Sequence, residues 1–576
     1  MPFTILKVSP FLIALCLMFN TWTVANAQLV SIEEIADQFD KSLIWPQEIG
    51  EMPIVYYFDS IQSIERRVDF LQTIASHLDE AMTAESSSQL ALDIREFVKQ
   101  ELLILQSCQP GVWDFTDFHN IYNFFNNLQN RIKDTHLQVE DTSLIVQGLK
   151  NLGRILEAAN SRLNASLTAE IYPPANSSIF WGSPTDDWLL EASSFQEFFY
   201  EYTTQLCSNC KNADYEDYLA LYTELITPHL LRFSQLINEL RLLSHNFVSA
   251  MPPKITEPCI TKVMANVGMD SRTPLEILDL GLRELERTER EMYEIVARQT
   301  GNPTESAPQL KSIFINQFLQ DLMTDPAQYS QSSDEYLKLA QKTQERALTF
   351  LPKISDYFIQ SPKIVDLGIE TETFPGAMYS PQDETVFLNR PTPAANYQLA
   401  QLMVHEGLPG HHLERSISMQ KKGTTSFEQH FHGDGSIIEG WAFYMEEYMD
   451  EIGFYQNDLE RLSYLEDIRV RALRLILPYR IFFDQWSLDQ ARSFSQAHSV
   501  MPDWRLNSEI QRNSHWRGQV LNYMIGKEDI LNMKNLARQS LGSSYTDQAF
   551  HTFILSHGNI HPHTLKILFE NWLNSQ

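Results

Sequence analysis

Residues 399–414 read Leu399-Ala-Gln-Leu-Met-Val-His-Glu-Gly-Leu-Pro-Gly-His-His-Leu-Glu414. The first half has the outline of a helix, with Leu399, Leu402, Met403 and Glu406 recurring at helical spacing. Thr392 is placed to cap it, and Pro393 fits the first helical position, where a missing N–H is no loss. Pro409 and Gly410 then interrupt the pattern. Proline inside a helix removes a hydrogen bond and clashes with the carbonyl four residues back. Glycine reaches dihedral angles that other residues avoid. The pair therefore predicts a bulge that absorbs extra residues before the helix resumes, and such interruptions gather at functional sites.

Outward from this stretch the chain reads as amphipathic helix on both sides. Ile61–Met82, Leu90–Leu105, Leu144–Ala165, Tyr215–Leu243, Pro274–Thr300 and Ser333–Leu351 all carry apolar residues at helical spacing. Helix is expected again from Ser436 to the end, including one long run from Asn457 to about His498. Pro252-Pro253 and the neighbourhood of Pro303 mark loops. Between these helical halves, Ile364-Val-Asp-Leu-Gly-Ile-Glu-Thr-Glu372 and Thr385-Val-Phe-Leu-Asn389 are short, β-branched and bounded by Pro and Gly, so two or three strands are expected there. An edge at Val386–Asn389 could pair with an extended peptide, although an ordinary edge strand explains it as well. The fold class expected is mainly α. The chain reads as one continuous helical body, divided weakly into residues 28–352 and residues 353–576, with a small β unit before the helix that carries His405.

The chain opens with Lys7, an apolar run from Pro10 to Phe19, and Ala25-Asn-Ala27. This is the layout of a secretory signal peptide over residues 1–27. The apolar run is shorter than the roughly 20 residues a membrane span needs. Export is therefore expected, to a periplasm or outside the cell, with no stable membrane insertion after cleavage. A formal net charge of −30 argues against nucleic acid or anionic lipid as a partner held by charge. Cys108, Cys207, Cys210 and Cys259 remain beyond the signal segment. Export permits disulfides among them, and the lone Cys207-Ser-Asn-Cys210 has neither a second such pair nor a strand-turn-helix context to make it a redox or zinc motif.

A zinc hydrolase needs two neutral imidazoles on one face and a carboxylate beside the water. On a regular helix that is His-Glu-x-x-His. Here the position four after His405 is Pro409, so the strict pattern fails. Two residues absorbed by the Pro-Gly bulge would bring His411 into the place of the second ligand, and three would bring His412. The reading favours His411 and leaves His412 either supporting the metal ligands from behind or reaching toward substrate. A third protein ligand is expected, with a fourth position left open. Glu439, at the start of the helix Ser436-Ile-Ile-Glu-Gly-Trp-Ala-Phe-Tyr-Met-Glu-Glu447, is the candidate, and Glu446 falls on the same face to support a ligand histidine. Ser436-x-x-Glu439 is equally a capping box taken alone. Zn2+ bound by His405, His411 and Glu439, with Glu406 as general base, is the expectation for the set.

His405-Glu-Gly-Leu-Pro-Gly-His-His412, followed by Glu439-Gly-Trp-Ala-Phe-Tyr-Met-Glu446, resembles the bacterial family known as domain of unknown function 885. Pro375-Gly-Ala-Met-Tyr379, Phe387-Leu-Asn389, Arg471-Ala-Leu-Arg474, Trp486-Ser487 and Gly518-Gln-Val-Leu-Asn-Tyr523-Met-Ile-Gly526 are similar to its other boxes. Three positions depart from the family pattern: Pro478 and Phe482 stand where an Asp and a His are usual, and Arg517 stands where a proline is usual. The family is regarded as related to helical zinc peptidases such as the thermostable carboxypeptidases and angiotensin-converting enzyme. The resemblance thus implies a two-lobed helical body with a deep cleft, and an oligopeptidase, carboxypeptidase or dipeptidase acting on short peptides. Tyr523, or the histidine of the 411–412 pair that does not bind metal, is the expected hydrogen-bond donor to substrate. The departures leave two other expectations: a metal-stabilised peptide-binding protein without catalysis, and a zinc hydrolase of a non-peptide amide or ester.

Overall fold

The structure is a computed structural model of the chain. It describes residues 61–84, 88–107, 221–246, 257–301, 308–330, 332–366, 376–381, 383–389, 395–420, 435–515, 518–558 and 560–575, with isolated positions at 35 and between 153 and 167. These residues are mostly helical. In chain order they form α1 (Ile61–Ala84), α2 (Gln89–Ser107), α3 (Thr227–Asn246), α4 (Glu257–Ala265), α5 (Pro274–Thr300), α6 (Pro308–Thr324) and α7 (Ser333–Ile354), then strands β1 (Lys363–Asp366), β2 (Ala377–Ser380) and β3 (Thr385–Leu388). There follow α8 (Leu399–Glu406), α9 (His411–Gln420), α10 (Gly435–Glu451), α11 (Asp458–Phe482), α12 (Leu488–Ala497), α13 (Asp503–His515), α14 (Asn522–Leu541), α15 (Asp547–His557) and α16 (Pro562–Ser575). Among the described residues no helix is long and apolar enough to cross a membrane.

The mainly α expectation holds, and the bounds of α5 match it because every local signal agrees. Thr273 and Glu276 close a capping box, Pro274 takes the first position, and Gly301 ends the helix in the left-handed region. The run expected from Asn457 to about His498 is instead two helices. The chain turns between them, with Gln485 at φ 55°. Ser487 and Gln490 form a second capping box that restarts it as α12. Leu144–Ala165, Thr392 and Pro393 lie wholly or mostly outside the described residues, as do the signal segment, Cys108, Cys207 and Cys210. Cys259 is buried and disulfide-bonded.

The three strands form one sheet in the order β1-β3-β2, with β1 parallel and β2 antiparallel to β3. This corrects the expectation of a free edge at Val386–Asn389: β3 is the central strand, paired on both sides, and the edge nearest the histidines is β2. A four-residue strand carries no local signal of its place in the sheet.

Close helix contacts set the frame around α8. Gly440 of α10 lies against Gly526 of α14, and a Cβ on Gly526 would collide with the Ser436 carbonyl. Gly281 lets α5 settle on Ala472, Leu475 and Ile476 of α11 in the same way. Pro478 is buried inside α11 and Phe482 packs against the apolar cluster there, so both departures from the family pattern serve as core. Lys527 of α14 is buried between Glu284 at 3.1 Å and Glu447 at 2.7 Å, which satisfies its charge.

His551 joins three elements: its Nδ1–H donates to the Ile354 carbonyl at 3.0 Å, and its Nε2 accepts from the Tyr444 hydroxyl at 2.7 Å. Burial first, and the charge of Lys534 second, push its pKa down to about 3. The folded chain thus favours the neutral form more strongly than the unfolded chain does. Its stabilisation is complete above the unfolded value of about 6.5 and declines by about 1.4 kcal/mol per pH unit below it. Thermal melts of the parent and of His551→Gln should therefore differ by about 2 kcal/mol less at pH 5 than at pH 7. A gap that stays constant would mean that His551 does not titrate on unfolding.

Candidate metal centre

The site begins at the break between α8 and α9. The helix does not carry a bulge; it stops at Glu406 and a new one starts at His411. Gly407 leaves helical geometry at φ −99°, ψ −130°. Gly410 returns beneath the end of α8, so close to the Val404 and His405 carbonyls that a Cβ would collide with both. Breaking a helix frees backbone groups that need partners, and two distant side chains supply them. Gln344 of α7 donates to the Met403 carbonyl at 2.6 Å and accepts from Leu408 N at 2.9 Å. The Trp441 indole N–H of α10 donates to the Pro409 carbonyl at 3.0 Å.

This turn carries His411 round to His405, their rings 4.7 Å apart and nearly perpendicular at 84°. Glu439, from the first turns of α10, meets both. Its Oε2 stands 3.5 Å from His405 Nε2 and 3.4 Å from His411 Nε2. The three donor atoms lie within 4.8 Å of one another. Two atoms bound at 2.0–2.1 Å to one tetrahedral zinc ion stand about 3.3 Å apart, close to the spacing of each imidazole from the carboxylate. The same Oε2 is buried and has no hydrogen-bond partner, an arrangement that costs free energy unless a cation compensates it. Two imidazoles and a carboxylate are a donor set that suits zinc.

The electrostatics agree. Burial opposes ionisation of Glu439, yet the nearby imidazoles of His405 and His411 outweigh it and hold its carboxyl well below the ordinary value. Burial likewise opposes a charged His405, but Glu439 and Glu446 overcome it and raise the imidazole well above its usual value.

Glu446 is fully buried and binds His405 Nδ1 at 2.7 Å. This fixes the ring so that Nε2 faces Glu439, the usual part of a carboxylate behind a ligand histidine. Burial, and then the charge of Asp467, push Glu446 up to about 7. Glu406 is next to His405 but turns to the sheet, where its Oε2 accepts from Tyr379 N at 2.9 Å. An N–H given to Glu406 is not given to β3, so the backbone groups of Tyr379 and, two residues back, Ala377 face the side of β2 away from β3, where no other strand pairs among the described residues. His412 faces away from the donors. Its Nδ1 pairs with the Tyr379 hydroxyl at 2.9 Å and its Nε2 with the Gln360 carbonyl at 2.8 Å. Burial lowers its pKa, so it is a neutral strut between α9 and β2.

Tyr523 of α14 lies nearly parallel to the His405 ring, 6.3 Å away. The Arg471 and Arg474 guanidiniums lie over its ring at 5.1 and 4.7 Å. The structure thus brings together His405, His411 and Glu439, with Glu406, Glu446 and Tyr523 around them, and it places His412 behind the strand. Gln344, Trp441 and the β2 backbone are contributors that the sequence reading missed. Glutamine and tryptophan at those positions carry no local sign of such a task.

The family described as "Bacterial protein of unknown function (DUF885)" matches residues 59–568. No curated protein matches the sequence. Two solved structures share the fold. One is a candidate lipoprotein from Colwellia psychrerythraea, with a TM-score of 0.71 at 16% identity over 95% of this chain and 100% of that one. The other is a candidate lipoprotein of unknown function from Shewanella oneidensis, with a TM-score of 0.67 at 17% identity over 94% and 100%.

Proposed function

We propose, for a chain that belongs to the bacterial family of unknown function DUF885 and whose activity must be read from its own site, zinc-dependent hydrolysis of peptide bonds in short peptides. The observation that carries this reading is the convergence of His405 Nε2, His411 Nε2 and the unpartnered Glu439 Oε2 at zinc-ligand spacing, with a further carboxylate, Glu406, adjoining. Bound zinc supplies a Lewis acid that polarises the scissile carbonyl and lowers the pKa of water to about 7. Glu406, oriented through one oxygen by the Tyr379 N–H, takes the proton of the attacking water on the other and passes it to the leaving amine. The outer side of β2, unpaired with any other strand among the described residues and running past Glu406, supports a peptide rather than another amide, because extended chains bind strand edges through their backbone. The signal-peptide layout of residues 1–27 supports action outside the cytoplasm.

The test is a screen of short peptides with the zinc-loaded protein, with and without a chelator. The expected result is cleavage that the chelator stops and added zinc restores. Binding without cleavage of any peptide would favour a metal-stabilised binding protein. Chelator-sensitive turnover confined to non-peptide amides or esters would keep the metal chemistry and remove the peptide.

A further inference from the structure

Arg471 and Arg474 are buried, 8% and 4% exposed. Each has one acidic partner. Arg471 pairs with Asp467 through one terminal nitrogen. Arg474 clasps Glu509 of α13 through Nε at 2.8 Å and Nη2 at 2.6 Å. Each also keeps a buried donor with no partner among the described residues, Nε of Arg471 and Nη1 of Arg474. Arg505 interacts electrostatically with the same two acids and the same two arginines, and Arg512 adds a fourth guanidinium 3.5 Å from Glu509. Four cations therefore surround Asp467 and Glu509. Glu446, which also feels Arg471, is committed to His405, and Glu466, which also feels Arg505, is paired with Arg469. A local surplus of positive charge is out of place in a chain of net charge −30, and unpaired buried guanidinium N–H groups are costly unless an anion meets them.

We propose that Arg471 and Arg474, beside Tyr523, receive the C-terminal carboxylate of the peptide substrate. This inference rests on the peptidase reading above and narrows it to enzymes that cut near the carboxyl end. Guanidinium N–H groups match a carboxylate in geometry and charge. Tyr523 sets the distance, being the common neighbour of His405 and both guanidiniums. Those ring contacts bound the separation of the His405 ring from the two guanidiniums at roughly the length of three extended residues. The carboxylate thereby fixes which bond lies beside Glu406. The alternative is that the arginines only tie α11 to α13.

The two readings separate by binding, without turnover. Acetyl-Ala-Phe and its C-terminal amide are titrated calorimetrically into the zinc-loaded Glu406→Gln protein. The acid should bind at least about tenfold more tightly than the amide, as expected for a hydrogen bond to a charged partner. In the same background Arg471→Gln should remove most of that preference and leave the amide unchanged, and Arg471→Lys should restore part of it. Melting temperatures identify any variant that fails to fold, in which case the acid-against-amide comparison in the parent decides. Equal affinities, no binding of either peptide, or an equal loss of both in Arg471→Gln would overturn the proposal. Equal cleavage of acid and amide peptides by the native enzyme would leave hydrolysis standing and remove the carboxylate site. Preference for the acid without any hydrolysis would do the reverse.

Discussion

Glu406→Gln should lower kcat by about 10²–10⁴ while leaving the bound zinc in place. Glutamine keeps the shape of the side chain and a carbonyl oxygen that can still accept from Tyr379 N, as Glu406 Oε2 does at 2.9 Å. It cannot accept a proton from water. His405, His411 and Glu439 are untouched, so metal content is expected to remain at the parent's level. The measurement is kcat on a peptide found in the chelator screen, with zinc determined on the same preparation. A variant that turns over at the parent's rate would remove Glu406 from the chemistry.

The second large effect separates two adjacent residues. His411→Ala deletes a donor that stands 3.4 Å from Glu439, and the zinc affinity should fall by more than the roughly 10–100-fold that loss of an outer partner costs. His412→Ala deletes a side chain whose nitrogens serve Tyr379 and Gln360. It should keep its zinc and lose about 1–3 kcal/mol of stability through the two groups left unpaired. Activity should fall as well, since Tyr379 positions Glu406. Elemental analysis after dialysis, together with melting curves, distinguishes the two. Zinc loss in His412→Ala with retention in His411→Ala would reverse the assignment.

What the sequence makes legible here is what depends on near neighbours. Helical periodicity and a complete set of caps give α5 its bounds, and the histidines and glutamates around the Pro-Gly pair mark the segments that converge, His405 and Glu439 with one of His411 and His412. The Pro-Gly pair announces a break, because proline and glycine act on their own backbone. What happens at the break depends on distant residues. Gln344 and Trp441 collect the freed backbone groups, and nothing local in either segment foretells it. The choice between His411 and His412 has the same origin, since the turn beneath α8 and the pull of Tyr379 on His412 are tertiary. The strand order was hidden because four-residue strands carry too little pattern to show which edge is covered. The restart at α12, by contrast, was readable: Ser487-x-x-Gln490 is a capping signal within an otherwise helical run. The unsatisfied donors of Arg471 and Arg474 emerge only once Asp467 and Glu509 have been seen to use the others.

The most direct measurement is anomalous diffraction at the zinc absorption edge from crystals of the zinc-loaded protein. The expected result is a single strong peak bounded by Nε2 of His405, Nε2 of His411 and Oε2 of Glu439, at about 2.0–2.2 Å from each. An empty cluster in protein shown to contain zinc, or a peak held by His412 instead, would contradict the metal centre and the peptidase chemistry built on it.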